Sequence, residues 1–221
     1  MKCYIKDYPR PQFMRTDWEN LNGTWDFGFD DENAGEKEKW YQEFKGDKKI
    51  NVPFTYETKL SGIQDETRHD FIWYHRTISV DGEKLENNRY ILHFEGSDFI
   101  TKVWVNGAYA GSHRGGYARC SFDVTNLVHD GENELTVKVE DSFDTQQPRG
   151  KQRWINENFG CWYVQTTGIW KTVWSEYVPK ISLASVKMTP DLQNAALKLE
   201  YEVAAAEKDL DDDLMITATV S

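Results

Sequence analysis

The sequence has little with which to staple a small protein. Three cysteines, Cys3, Cys120 and Cys161, are spread over 221 residues. An odd number cannot all pair, and no Cys-x-x-Cys metal spacing occurs. The expectation is free, buried thiols in a reducing cytoplasm. Positive charge is also in deficit: 26 Lys and Arg face 37 Asp and Glu, a net charge of −11. That balance excludes a non-specific nucleic-acid binder and a polybasic membrane surface. No apolar run approaches the roughly 20 residues of a membrane-spanning helix. Met1 to Phe13 contains no apolar leader core, so a cytoplasmic location is expected. Internal repeats and low-complexity segments are absent. The GxSxG elbow and the HExxH zinc motif are missing, and Gly115-Gly116 lacks the Gly-Lys-Ser/Thr ending of a phosphate loop. The five histidines (His69, His75, His93, His113, His129) are scattered. His75 and His93 fall inside strand patterns, where a hydrogen-bonded structural histidine is expected.

Aromatic residues, by contrast, are abundant, at 14 % with nine Trp. All the tryptophans lie between Trp18 and Trp174, and after Val178 the only aromatic is Tyr201. The composition shifts near Pro179 to Ala, Leu and Asp. The tail of about 42 residues is near the lower limit for independent folding. We therefore expect a complete domain over 1–178 and the start of a second over 180–221.

Period-two alternation recurs through the chain. Leu135, Val137 and Val139 alternate with polar residues. Tyr74, Arg76, Ile78 and Val80 share a face. Tyr90, Leu92 and Phe94 alternate with Arg89, Ile91 and His93, so that strand has apolar or aromatic content on both faces. Asn106-Gly107 between Thr101–Val105 and Ala108–Ser112 predicts a type I′ hairpin, because both central positions tolerate positive φ. Asp81-Gly82 and Asp130-Gly131 predict turns. Asp123-Val124-Thr125 predicts a capped helical turn through Leu127. One short helix is expected near 35–44. In the tail, Ile181–Met188, Leu197–Val203 and Leu214–Val220 read as three strands of a sandwich that needs about seven. The sum is an all-β chain, a sandwich or barrel. The last strand leaves an edge that invites self-association.

The segment between the strands Leu135–Glu140 and Ile169–Trp174 departs from this pattern. A loop this long in a compact domain is functional or disordered, and Trp154, Phe159, Trp162 and Tyr163 argue against disorder. It combines aromatic rings with Asp141, Asp144, Arg149, Lys151 and amides. Sugars suit that mixture: a ring face packs on pyranose C–H groups while carboxylates, amides and guanidinium groups bond the hydroxyls. Trp154 and Trp162 have two readings, as sugar platforms or as covers for the end of the sandwich core. Most other acids, such as Asp30-Asp31-Glu32 and Asp211-Asp212-Asp213, read as solvated turns. Paired carboxyls for glycoside hydrolysis need a defined separation that spacing does not show.

A series of short motifs, in order, resembles a known family. They are Leu21-Asn22-Gly23-Thr24-Trp25-Asp26-Phe27, Trp73-Tyr74-His75-Arg76, Phe94-Glu95-Gly96 and Val103-Trp104-Val105-Asn106-Gly107. Gly111-Ser112-His113-Arg114-Gly115-Gly116-Tyr117, Phe122-Asp123-Val124-Thr125, Gly131-Glu132-Asn133 and Thr167-Gly168-Ile169-Trp170 complete it. Together they are similar to the N-terminal sugar-binding domain of glycoside hydrolase family two, the β-galactosidases, β-glucuronidases and β-mannosidases. The runs Pro148–Trp154 and Thr166–Trp174 look most like β-galactosidase-type members. The resemblance implies a jelly-roll, galactose-binding-domain-like β-sandwich followed by the start of an immunoglobulin-like sandwich. It implies a carbohydrate partner, a β-galactoside or related glycoside. It also implies a catalytic (β/α)₈ barrel in the same polypeptide, with two glutamates for a retaining displacement. A barrel of about 250 residues does not fit after Val178, so the fragment would be inactive alone. No catalytic residue and no cofactor are expected, with a metal ion at the parent's sugar site left open. By position, Asp141, Asp144, Arg149, Lys151, Trp154 and Trp162 would approach the sugar. Cys161-Trp162-Tyr163 departs from the loops of better-known members. Gly115-Gly116 is expected to serve turn chemistry. Two other readings are an independent carbohydrate-binding module and a structural or interaction sandwich.

Overall fold

The computed structural model describes residues 7–143, 146–205 and 215–219. In chain order the strands begin with β1 (Trp18–Asn20), β2 (Gly23–Phe29), β3 (Lys48–Val52) and β4 (Phe71–Val80). After a short helix α1 (Gly82–Asn87) come β5 (Asn88–Phe94), β6 (Ser97–Asp98), β7 (Ile100–Val105), β8 (Ala108–Arg114) and β9 (Cys120–Asp123). Then follow β10 (Gly131–Glu140), β11 (Gly168–Ile169), β12 (Val173–Pro179), β13 (Ser182–Asp191) and β14 (Ala196–Ala204). A four-stranded sheet runs β1-β12-β5-β9 and a six-stranded sheet runs β3-β2-β4-β10-β7-β8. All named strand pairings are antiparallel.

The alternation places the core. Trp25, Phe27, Ile72, Tyr74, Val137 and Val139 of one sheet and Tyr90, Leu92, Phe94, Phe122 and Val173 of the other form one buried cluster. This is a β-sandwich, one of the two architectures the strand pattern allowed and the one the resemblance implied. Several outward side chains, among them Trp73, Trp104, His93 and Trp174, are buried as well. Segment 30–46 lies over the six-stranded sheet, where Trp40 meets Trp73, Tyr41 stacks on Trp104 at 5.3 Å and Phe44 stacks on His75 at 5.0 Å. Asp30 fastens it, accepting from the amides of Ala34 and Gly35 and from the Trp73 indole. Glu36 receives both Lys102 and Lys138. The helix expected near 35–44 is instead a succession of turns, because Lys39 takes a left-handed φ of 58° that interrupts any helical ladder.

The N-terminal segment covers the other sheet. Tyr8 packs edge-on to Trp18 and Trp174. Beneath it Glu176, 1 % exposed, accepts from the Tyr8 hydroxyl, Arg10, Arg15 and His93. Burial alone would raise the Glu176 pKa, but the His93 and Tyr8 hydrogen bonds and the Arg15 charge outweigh it and hold the group at about 2. Arg15 also donates to the Leu183 carbonyl, which joins this hub to the start of β13.

The turns follow the sequence closely. Asn106 (φ 51°) and Gly107 (φ 76°) join β7 to β8 in the I′ manner. Asp123 accepts from Thr125 and opens the turn through Leu127. Asp81 does more than turn the chain: its carboxylate caps α1, a helix too short for its periodicity to register. The strand expected over Ile169–Trp174 is split at 170–172 into β11 and β12. Of the tail strands, the first two form the hairpin β13–β14. For the third, Leu214 and Val220 lie outside the described residues, and 215–219 form no strand and pair with none among the described residues. Cys120 is buried as expected, Cys161 is exposed, and Cys3 lies outside the described residues. Cys161 escapes burial because it sits in a loop turn, not on a sheet face.

Two outcomes follow. Gly168 has φ 88° and packs where a Cβ would collide with the Tyr74 hydroxyl, so Gly168→Ala costs about 2–4 kcal/mol in urea melts. Glu176→Gln, which leaves two arginines facing a neutral partner, costs about 3–5 kcal/mol. Because Glu176 titrates below its ordinary range, its stabilisation is full above that range and is lost as pH falls toward 2; the acid-unfolding curve of Glu176→Gln is correspondingly flatter.

Candidate functional site

In the long segment between β10 and β11, the described residues 141–143 and 146–167 are held by hydrogen bonds to buried groups. It leaves β10 at Asp141, whose amide donates to the Asp70 carbonyl. The chain doubles back where Arg153 N donates to Tyr163 O and Tyr163 N to Lys151 O. Arg153, 6 % exposed, is the organiser: its guanidinium donates to Gln165 Oε1 at 2.8 Å, to Asn158 Oδ1 at 3.3 Å and to the Glu66 carbonyl.

Three buried carboxyls lie beneath this segment. Asp141 accepts from Gln147 Nε2 at 2.5 Å and from Thr167 Oγ1 at 3.2 Å. Glu57 accepts from the Thr167 amide at 3.0 Å. Asp98 accepts from Gln152 Nε2 at 2.7 Å, and Gln152 Oε1 in turn accepts from the Thr166 amide. Both arms of the loop are thus tied to acids on the sandwich. Burial pushes Glu57 and Asp141 up to about 7, the nearby Asp98 charge adding to the shift of Asp141; burial pushes Asp98 up to about 6. Glu57 Oε2 and Asp98 Oδ1 are buried with no hydrogen-bond partner among the described residues.

A cleft of about 300 Å³ opens beside Asp98, lined also by Tyr117, Arg149, Lys151, Gln152, Tyr163, Val164, Thr166 and Trp170. Its size is at the lower end of ligand sites, roughly 300–1,000 Å³. Gly116 backs it because a Cβ there would strike the Asp98 carboxylate, so close approach rather than turn formation explains this glycine. Gly115, with φ 138°, is the conformational one.

The structure divides the residues expected at the site. Arg149 and Lys151 line the cleft. Asp141, 9 % exposed, lies below and holds the loop's backbone and amides. Trp154 and Trp162 form a separate half-buried cluster with Phe159: Trp154 is edge-on to both at 5.0 Å, and Phe159 stacks on Trp162 at 5.5 Å. Asp144 lies outside the described residues. Asp98, Tyr117, Gln152 and Trp170 were not anticipated. The signal was present, since two of the matched motifs contain Tyr117 and Trp170, and Asp98 follows a third by two residues. Among the described residues, no group of three His, Cys, Asp or Glu side chains is placed to hold a metal ion.

Tertiary structure also joins Ser121, His93 and Glu176, with Ser121 Oγ 2.6 Å from His93 Nδ1 and Glu176 Oε1 3.1 Å from Nε2. The ring is 4 % exposed and stacks on Trp174 at 4.0 Å, and burial lowers its pKa. The ring is closed to solvent, although Ser121 beside it is exposed. His93 is the hydrogen-bonded structural histidine that its strand position implied.

A two-sheet β-sandwich with one long, ordered loop that frames a polar, tyrosine-lined cleft is the design of a carbohydrate-binding sandwich. Residues 18–174 match the sequence profile of glycosyl hydrolases family 2, sugar binding domain, and the chain belongs to that family. It is 32 % identical over 143 residues to a putative β-glucuronidase of Formosa agariphila, covering 63 % of this chain and 16 % of that protein. It is 25 % identical over 216 residues to a β-galactosidase of Thermoanaerobacter pseudethanolicus, covering 94 % and 26 %. Among solved structures, a β-glucuronidase of an uncultured Clostridium superposes with a TM-score of 0.67 at 25 % identity, over 86 % of this chain and 34 % of that one. The β-glucuronidase of Ruminococcus gnavus gives 0.71 at 19 % identity, over 91 % and 35 %, and so shares the fold. The chain thus spans about a third or less of the length of these relatives.

The raised acids set the loop's pH response. An acid whose folded pKa lies above its unfolded value stabilises the fold fully at low pH and loses that contribution as pH rises through the folded value. Urea melts and limited proteolysis within 146–164 should therefore show the loop loosening between about pH 5 and 8, and Asp141→Asn, which removes one titrating group, should flatten that slope.

Proposed function

We propose that this chain is the non-catalytic N-terminal part of a retaining family-two β-glycosidase of β-galactosidase type, in which it shapes the substrate pocket. The observation that carries the reading is the profile match over 18–174 in a chain that spans only 16 % and 26 % of two glycosidase relatives. In this reading residues 1–178 are the jelly-roll domain and 180–221 begin an immunoglobulin-like domain. The hairpin β13–β14, a sheet of its own with exposed Met188, Leu197 and Val203, supports that division. The same exposed residues support self-association of the isolated chain. The catalytic barrel, with its two glutamates, belongs to the remainder of the polypeptide and cleaves terminal β-glycosidic bonds. Asp141, Asp144, Arg149, Lys151, Trp154 and Trp162 form the loop that approaches its sugar. The free Cys120 and Cys161 support a cytoplasmic location; no helix among the described residues is long and apolar enough to cross a membrane.

Calorimetry and enzyme assays test this. The chain alone should leave chromogenic β-galactosides and β-glucuronides uncleaved and bind galactosides and glucuronides weakly. The parent reading frame should continue into a barrel, and its product should cleave such a glycoside with retention. A frame that stops near Ser221 would sink the proposal. Tight sugar binding by the chain alone, lost in Trp154→Ala or Trp162→Ala, would instead identify an independent carbohydrate-binding module.

A further inference from the structure

A second cavity, of about 250 Å³, lies between segment 30–46 and the outer face of the six-stranded sheet, and its lining differs in kind from that of the cleft beside Asp98. Its walls are rings: Trp40, Tyr41, Phe44 and His75 line it, all half-buried. Trp40 and Phe44 stand 78° apart with centroids at 6.3 Å and form a corner. Tyr41 and Phe44 each rest one face on the sheet, against Trp104 and His75. The rim carries Glu134, whose side chain is 52 % exposed. Its close partner is His75 Nε2 at 2.8 Å, and no Lys or Arg meets its carboxylate among the described residues. Glu38, beside Trp40, is by contrast paired with Lys45. Elsewhere the fold seats its own lysines over rings: Lys138 lies over Phe71 at 5.0 Å and over Trp73 at 5.7 Å, and Lys48 over Phe29 at 5.8 Å. Among the described residues no Lys or Arg lies over Trp40, Tyr41 or Phe44, and none lines the cavity.

Aromatic faces attract a cation, most strongly where water is excluded. A carboxylate at the rim, in a protein of net charge −11, favours a ligand of the same positive sign. The ring walls offer few acceptors, so a cation with N–H donors would give up hydrogen bonds to water on entry. A methylated ammonium has no such donors to lose. The volume is below the roughly 300–1,000 Å³ of most ligand sites, which suits one compact headgroup. We propose that this cavity binds a quaternary ammonium group, with Trp40, Tyr41 and Phe44 around its methyls and Glu134 facing its charge. The site is separate from the loop cleft and does not rest on the glycosidase reading.

The test uses the whole chain, titrated at matched ionic strength with choline, neohexanol and glucose and followed by the Trp40 indole and Gly107 amide shifts. Neohexanol has the shape of choline with carbon in place of nitrogen. Choline should bind at least about fivefold more tightly than neohexanol, in keeping with a partly desolvated cation over rings. Glu134→Gln keeps an acceptor for His75 and removes the charge. It should weaken choline about two- to fivefold, the scale of a half-solvated charge contact, and leave neohexanol unchanged. A peptide with one trimethyl-lysine, run beside choline, separates a headgroup carried on a side chain from a free one; tighter binding of either than of neohexanol supports the assignment. Equal binding of choline, the peptide and neohexanol, or choline binding unchanged in Glu134→Gln, would overturn it. Glucose binding as tightly as choline would show a polar pocket with no preference for a cation, and would overturn it too. So would the absence of any shift at Trp40 and Gly107 with both choline and the peptide.

Discussion

The loop end of this sandwich depends on burying carboxyls beneath an irregular segment. Segment 141–167 has few ladder partners, so its amides must be satisfied some other way. Glu57, Asp98 and Asp141 do this from three separate places on the sandwich. They reach the loop at Thr167, at Gln152 and at Gln147. The arrangement has an energetic cost, since each acid is removed from water and its pKa is driven upward. What it gains is a loop held at both arms, with a cleft between loop and sheet whose shape does not depend on a bound ligand. The same carboxyl that holds Gln152 also lines the cleft.

The aromatic surplus has a related origin. A two-sheet sandwich ordinarily leaves its outer faces to water. Here both are covered. Trp40, Tyr41 and Phe44 lie over Trp73, Trp104 and His75, and Tyr8 lies over Trp18 and Trp174. That explains why β4 and β5 carry large rings on both faces. It also explains how Glu176 and Lys138, 1 % and 3 % exposed, come to lie on nominal outer faces with full sets of charged and hydrogen-bonding partners. Trp154, Phe159 and Trp162 follow another rule: they pack on one another and form a small cluster of their own within the loop.

Family membership and the cleft answer different questions. The match over 18–174 says which kind of enzyme carries such a domain. The geometry says what this copy presents: a carboxyl floor, tyrosine walls and a cationic rim in an acidic protein. The rim residues Arg149 and Lys151 come from the irregular loop, whereas Asp98 comes from β6 of the sandwich.

By itself, the order of residues determined the all-β class, the inward faces of β4, β5 and β10, the hairpin at Asn106-Gly107 and the place of the long loop. Each of these is a local property, fixed by side-chain alternation or by the φ a turn demands. Local pattern misplaced what depends on an interruption or on a missing neighbour: the turns at 35–44 broken by Lys39, the split between β11 and β12, and the third tail strand. Arg149 and Lys151, which it singled out, line the cleft, whereas Asp98 lies far from them in the chain and meets the loop where β6 pairs with β11. Trp154 and Trp162, expected by position to approach a sugar, pack with Phe159 in a cluster of their own. Only the tertiary structure decided which carboxyls lose their water, because burial is a property of everything packed around a residue, and not of the residue's place in the chain.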